Sequence, residues 1–418
     1  MVRIYPFAAV RPEKALASRI ASVPYDVVST EEASVEIERN PTSFLQVIRS
    51  DALLPDVPAH DDRVYSLAQE NLSRMLKEDM LRRDAEPSYY LYRVIDGDRT
   101  FTGLVCCLSV DDYLDGRIRR HELTRYDKEE DRTRHIDTVD ANTGLVFLLY
   151  HDPGAIYQHL QALAADLPIV AEVTAGNRTV HQIYPITDRM EKAKIETLLN
   201  DVPCLYIADG HHRAASAVNV GMKRRAEGTA GVESQRFMGV LFAHDRVKIH
   251  GYSRLVRDLA GMTKTEFLQK LKGVVEITPY GHVEGSTYQI PPHRPVEGMY
   301  IFHMYLAGEW YELSRRKDPS VDAIHALDVT MLQKEILEPI LGITDPRSDA
   351  RLQYVGGAKP LSDLQRMVDR GEFAVAFAMQ PVAVEQVFSI SDRGLVMPPK
   401  STWFEPKLLS GLVIHMLD

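Results

Sequence analysis

Ile207-Ala208-Asp209-Gly210-His211-His212-Arg213 is the stretch on which the reading of this chain turns. Before it, Pro203 to Ile207 is short and apolar and reads as a strand. After it, Ala214-Ala215-Ser216-Ala217-Val218-Asn219-Val220 reads as helix. The polar run therefore falls on a strand-to-helix turn. A helix start carries unsatisfied backbone N–H groups and partial positive charge, which suits an anion. Gly210 lets backbone approach a ligand closely. Arg213 supplies a planar fork suited to phosphate, and Asp209 a carboxylate for a divalent cation. The residues point to a phosphate-handling corner. The competing account is an Asp N-cap with two incidental histidines.

The remaining composition narrows the class. At 418 residues the chain should hold two or three domains. A net charge of -10 argues against general nucleic-acid binding. Its three cysteines, Cys106, Cys107 and Cys204, show neither disulfide nor metal spacing and fit a reducing compartment. No signal-peptide pattern opens the chain, and no apolar run nears the ~20 residues that cross a bilayer. The expectation is a cytoplasmic protein without a membrane partner.

Outward from the turn, periodicity sketches the elements. Residues 4–12 read as a strand closed by Pro12. Ser29-Thr30-Glu31-Glu32 reads as a helix start, and 40–45 as a turn and strand. Asp61 to Arg83 has helical spacing. Tyr89–Val94 and Phe101–Val110 form a hairpin around Asp96-Gly97-Asp98. A second polar cluster follows, Arg119-Arg120-His121-Glu122-Leu123-Thr124, leading into a charged helix. Glu122, a carboxylate flanked by cations, is a candidate general base toward a hydroxyl; an ordinary surface ion pair is the alternative. Asp26 and Arg11 are polar residues set among apolar ones. Strands are expected at 145–150, 179–186 and 237–243, and helices at 153–165 and 188–199. Arg254 falls near a strand end. Beyond it come a helix from Thr263, a hairpin 299–314, helices at 328–341, 361–369 and 381–389, and a strand 373–379. Near the end, Pro398-Pro399-Lys400-Ser401-Thr402 offers an ammonium and two hydroxyls on a stiff loop, without the spaced glycines of a P-loop.

Several of these pieces, in order, resemble the domain-of-unknown-function 1015 family. They are Pro6-Phe7 through Arg11-Pro12, Pro24-Tyr25-Asp26-Val27, Arg120 to Thr124, Asp209 to Arg213, Tyr252-Ser253-Arg254-Leu255-Val256 and Met397 to Thr402. The middle section is similar to the ParB/sulfiredoxin fold, where a Gly-x-x-Arg turn grips nucleotide phosphates, and to its free-serine kinase branch. The fold this implies is α+β: a ParB/sulfiredoxin-like core at 86–260, an N-terminal α/β segment at 1–85 and a C-terminal α/β domain at 261–418. The resemblance also implies roles. Glu122, Asp209 and His212 would be catalytic, with Asp209 also the metal ligand. Gly210, His211 and Arg213 would hold the nucleotide. Apart from the resemblance, the residues themselves make Lys400, Ser401 and Thr402 further nucleotide contacts, and Arg120, His121 and Arg254 candidates to touch substrate. The expected function is phosphoryl transfer between ADP or ATP, with Mg²⁺, and the hydroxyl of a small metabolite, L-serine first. Alternatives are a nucleotide-binding regulator without turnover and a ParB-like DNA or partner binder; a homo-oligomer is compatible with all three. His211 stands where sulfiredoxins carry a catalytic cysteine, which argues against sulfinic-acid repair. Ser253 departs from the Asn or His of many relatives.

Overall fold

A computed structural model describes residues 1–176, 178–280, 296–357 and 359–418. The chain is mixed α/β and divides into two compact units, Met1–Val247 with Pro406–Asp418, and Lys248–Glu405. The N-terminal and most of the central sequence segments thus share one unit, and the last thirteen residues return to it.

The first unit contains strands β1 (Ile4–Tyr5), β2 (Val10–Pro12), β3 (Leu81–Arg83), β4 (Tyr89–Asp96), β5 (Arg99–Ser109) and β6 (Ile118–Arg119). It continues with β7 (Ala141–Asn142), β8 (Val146–Tyr150), β9 (Ala171–Ala175), β10 (Thr179–Ile186), β11 (Leu205–Asp209) and β12 (Arg236–Ala243). Nine of these form one sheet in the order β6-β11-β8-β12-β5-β4-β10-β9, with β1 paired to β5. The β6–β11 and β8–β12 pairs are parallel and the rest antiparallel. Every residue of Val146–Tyr150 is buried, as expected of a strand covered on both faces. One face packs Leu104, Cys106 and Leu108 against Ile156, Leu160, Ile195, Ala214 and Val218 from three helices. Successive strand residues point to opposite faces, so Cys107 belongs to the other side.

Two helices set the position of the site. Tyr126–Val139 lies against His211–Glu227. Ser216 Oγ donates to the Glu129 carbonyl at 2.8 Å, Asn219 Nδ2 to Glu129 Oε1 at 2.7 Å, and Arg224 pairs with Asp137 and Asp140. A separate apolar cluster gathers Phe44, Leu45, Val47, Leu72 and Met75 with Ile414 from the end of the chain.

The second unit carries β13 (Lys248–His250), β14 (Tyr252–Val256), β15 (Glu276–Tyr280), β16 (Met299–Leu306), β17 (Glu309–Arg316), β18 (Leu352–Gly356), β19 (Val375–Ala378) and β20 (Trp403–Glu405). Six form a sheet, β15-β17-β16-β19-β14-β18, while β13 pairs with β20. The last strand, β21 (His415–Met416), pairs with β7 in the first unit.

Several expectations are corrected. The single strand over 4–12 is two strands facing different partners. The turn expected within 40–45 is present, but it leads into a helical turn, Leu45–Ile48, instead of a strand. The helix expected over 61–83 ends at Lys77, because Asp79 takes φ 54° and the chain turns into β3. The helix from Asp328 widens to π geometry over Leu332–Leu337. Among the described residues no helix is long and apolar enough to cross a membrane.

Candidate functional site

The expected turn is present: β11 ends at Asp209 and the helix begins at His211. Gly210 is its N-cap, at φ 91°, a left-handed conformation that glycine adopts without cost. It offers no capping side chain, which leaves the first-turn amides to other acceptors. A Cβ on Gly210 would lie 3.1 Å from Arg213 Cζ and Nε, so the guanidinium folds back over the turn. Arg213 donates to the Leu145 carbonyl and stands 3.6 Å from Asp209. Gly210→Ala should therefore lower unfolding stability by roughly 1–2 kcal/mol, the cost of a left-handed residue with a side chain, and displace Arg213. Chemical denaturation with a parallel nucleotide titration checks both effects.

The turn gathers charge from a distant position. Lys407 Nζ bonds Asp209 Oδ2 at 3.0 Å. Burial alone would raise the Asp209 carboxyl; Lys407 and Arg213 more than reverse this and hold it at about 2. Burial opposes the charge on Arg213, but Asp209, Asp26 and Tyr25 keep it firmly protonated. Asp26 also acts on His212, so the Pro24-Tyr25-Asp26-Val27 motif serves this corner. Arg11 is instead paired with Asp84 at 2.8 Å and is a structural cation.

The second polar cluster arrives beside the first for a topological reason. β6 runs parallel to β11, with Ile118 opposite Leu205 and Arg119 opposite Tyr206. The residues following each strand are therefore neighbours. His121 and His211 meet edge to face, with ring centroids 4.7 Å apart. Glu122 Oε2 stands 3.6 Å from His211 Nδ1, and the Arg125 amide donates to His212 Nε2 at 3.0 Å. His211 is 5% exposed, and its Nε2 is buried without a hydrogen-bond partner. An orphaned buried nitrogen at a helix start marks a place where a ligand atom can be used. Arg120 lies over the Tyr113 ring and donates to its hydroxyl at 3.2 Å. Behind Arg213 is a cavity of about 30 Å³ lined by Tyr25, Arg132, His135, Asn142 and Thr143. That is room for about two waters.

Burial pushes His121 from 6.5 down to about 4; burial and the adjacent His121 push His211 well below its ordinary value. Both rings are neutral at pH 7. Between pH 6.5 and 4 the unfolded chain binds the His121 proton and the folded chain does not. The stability tied to this ring is complete above 6.5 and is lost as pH falls toward 4. Urea unfolding at pH 7 and 5 should show a smaller pH loss in His121→Gln than in the wild type.

The remaining candidates, Arg254, Lys400, Ser401 and Thr402, belong to the second unit. Arg254 is 4% exposed, donates to the Tyr252 and Lys400 carbonyls and lies over the Tyr354 ring. Burial lowers its guanidinium to about 10. Lys400 takes φ 57°, and its ammonium sits over the Tyr252 ring, 5.3 Å from the centroid. Ser401 Oγ donates to the Pro398 carbonyl at 2.6 Å.

A mixed sheet whose parallel edge delivers two polar motifs to one uncapped helix start defines the class. The chain belongs to the family described as a protein of unknown function, DUF1015, whose model matches residues 4–330. Among curated proteins none matches. Solved structures similar to it include a free serine kinase in complex with AMP, 15% identical, covering 73% of this chain and 88% of that one, with a TM-score of 0.37. A conserved hypothetical protein from Pyrococcus furiosus is 14% identical over 72% of this chain and 90% of that one, with a TM-score of 0.34. SbnI with a C-terminal truncation, from Staphylococcus aureus, is 12% identical over 74% and 86%, with a TM-score of 0.35.

Proposed function

We propose that the first unit binds a nucleotide by its phosphates at the start of helix His211–Glu227 and transfers a phosphoryl group to the hydroxyl of a small metabolite. The observation that carries this reading is the convergence of Arg213 and Lys407 on Asp209, at an uncapped helix start, beside Glu122 and His211. Phosphoryl transfer asks chiefly for positioning and charge neutralisation. Backbone amides, the guanidinium and the ammonium supply the second. Glu122 accepts the proton of the attacking hydroxyl; the oxygen–phosphorus bond forms as the bond to the leaving nucleotide breaks. His121 and His211, neutral and buried, shape the floor.

Mg²⁺ at Asp209, which the family resemblance implies, does not fit this arrangement. Lys407 at 3.0 Å and Arg213 at 3.6 Å already neutralise that carboxylate. No step here runs through a metal. The ParB/sulfiredoxin core, ADP or ATP as donor and L-serine as acceptor belong to the same reading and rest on the sequence motifs. Nucleotide contact by Lys400, Ser401 and Thr402 and substrate contact by Arg254 rest on the sequence alone, and no step here runs through them. The acidic balance of the whole chain speaks against the DNA-binding alternative.

Phosphorus NMR of the full chain with ADP or ATP and a panel of hydroxyl metabolites, serine first, tests the reading. The expected result is a new phosphomonoester signal with matching loss of nucleotide. Tight nucleotide binding with no turnover of any acceptor would favour the regulator instead. No binding at all would remove both.

A further inference from the structure

We propose a buried zinc site in the first unit, on the sheet face away from Cys106, formed by Cys107 Sγ, Glu233 Oε2 and His415 Nε2. These residues come from β5, the turn before β12, and β21, and their ligand atoms all lie within 4.8 Å of one another. Cys107 and His415 are 0% and 1% exposed, and Glu233 opens partly to solvent.

The hydrogen bonds around His415 fix where its lone pair points. The Met238 amide donates to Asn142 Oδ1 at 3.2 Å, which identifies that atom as the oxygen. The same oxygen lies 3.0 Å from His415 Nδ1, so Nδ1 must carry the proton. Nε2 then faces Glu233 Oε2 at 2.9 Å. A neutral imidazole would set two lone pairs against each other there, so the gap needs a positive centre. A proton would satisfy two of the three donors; a metal ion uses the thiol as well. Arg236 bonds the other carboxylate oxygen, Oε1, at 3.2 Å, which leaves Oε2 as a one-toothed ligand. The Asn142 contact is the orienting bond that metal-bound histidines ordinarily make through their second nitrogen.

The donor set selects the ion. Thiolate, imidazole and one carboxylate suit Zn²⁺ with tetrahedral geometry and a fourth position for water. Donors on zinc lie roughly 3.5 Å apart, from the usual bond lengths, a separation that small side-chain rotations reach. Binding releases the Cys107 proton to solvent. Zn²⁺ with one thiolate and one carboxylate is then neutral overall, which suits burial. The ion would fasten β21 to the sheet. Sequence spacing hides the set, because its members stand at 107, 233 and 415.

The test uses the full chain, stripped with a chelator and titrated with Co²⁺ and Zn²⁺. The expected result is about one equivalent bound, with the d–d bands of a tetrahedral ion and a thiolate-to-cobalt charge-transfer band. That band should vanish in Cys107→Ser and persist in Cys204→Ser. Zinc should raise the melting temperature of the wild type and leave that of Cys107→Ser unmoved. A folded wild type that shows no charge-transfer band overturns the proposal, even if Cys107→Ser fails to fold. Equal zinc content in wild type and a folded Cys107→Ser also overturns it, and leaves His415 and Glu233 as a protonated ion pair.

Discussion

Glu122→Gln is expected to lose turnover by 10²–10⁴-fold, the usual contribution of a general base, while nucleotide affinity stays at the wild-type level. The exchange keeps the shape of the side chain and removes its charge and basicity. Its side chain is 43% exposed, and circular dichroism checks that the variant is folded. The carboxylate sits beside His211 rather than on the Asp209 cation pair, and so the phosphate-binding charges remain. Single-turnover kinetics together with calorimetric nucleotide titration separate the two quantities. Unchanged turnover would make Glu122 a surface partner of His211 and remove the base from the mechanism.

Arg213→Ala should weaken ADP and ATP binding by roughly 10–150-fold, the loss of a charge-assisted contact worth about 1.5–3 kcal/mol. The guanidinium also fills space over Gly210 and against Gly144, where an added Cβ would meet Arg213 Cδ at 3.2 Å. Melting temperature and circular dichroism must therefore accompany the titration. Arg213→Lys keeps the charge but loses the fork, and should fall between the two. A folded Arg213→Ala that binds as well as the wild type would place the phosphates elsewhere.

Much of this architecture is legible in the sequence, where local pattern and tertiary role agree. Strand 179–186 and helix 361–369 fall on the residues that periodicity marks. The turn at 207–213 reads correctly because an apolar run, a glycine and a helical run succeed one another there. The helix at 61–83 is read too long, since Met80 keeps the apolar spacing of the helix although the chain has already turned at Asp79 toward the strand that sets Leu81 opposite Pro12. The strand Ala171–Ala175 escapes notice because its pairing with β10, more than its sequence, makes it a strand. At the site, the two motifs are visible separately; that His121 meets His211 follows from the parallel pairing of β6 with β11, which no local signal carries. Lys407 is the clearest omission. It stands 198 positions from Asp209, and only the return of the chain brings it there.

That return has a consequence for biosynthesis. The chain leaves the first unit at Val247 and re-enters it at Pro406. A ribosome must finish the whole intervening stretch before Lys407 can reach Asp209 or His415 can pair with Asn142. Until then the nascent first unit lacks the closing ladder at β7 and carries Ile414's place in its apolar cluster unfilled. Long-range closure of this kind is slow and leaves apolar surface exposed while it waits. Chains halted short of residue 406 should therefore be held by chaperones or degraded, and synthesis of the returning segment becomes the step that licenses the fold.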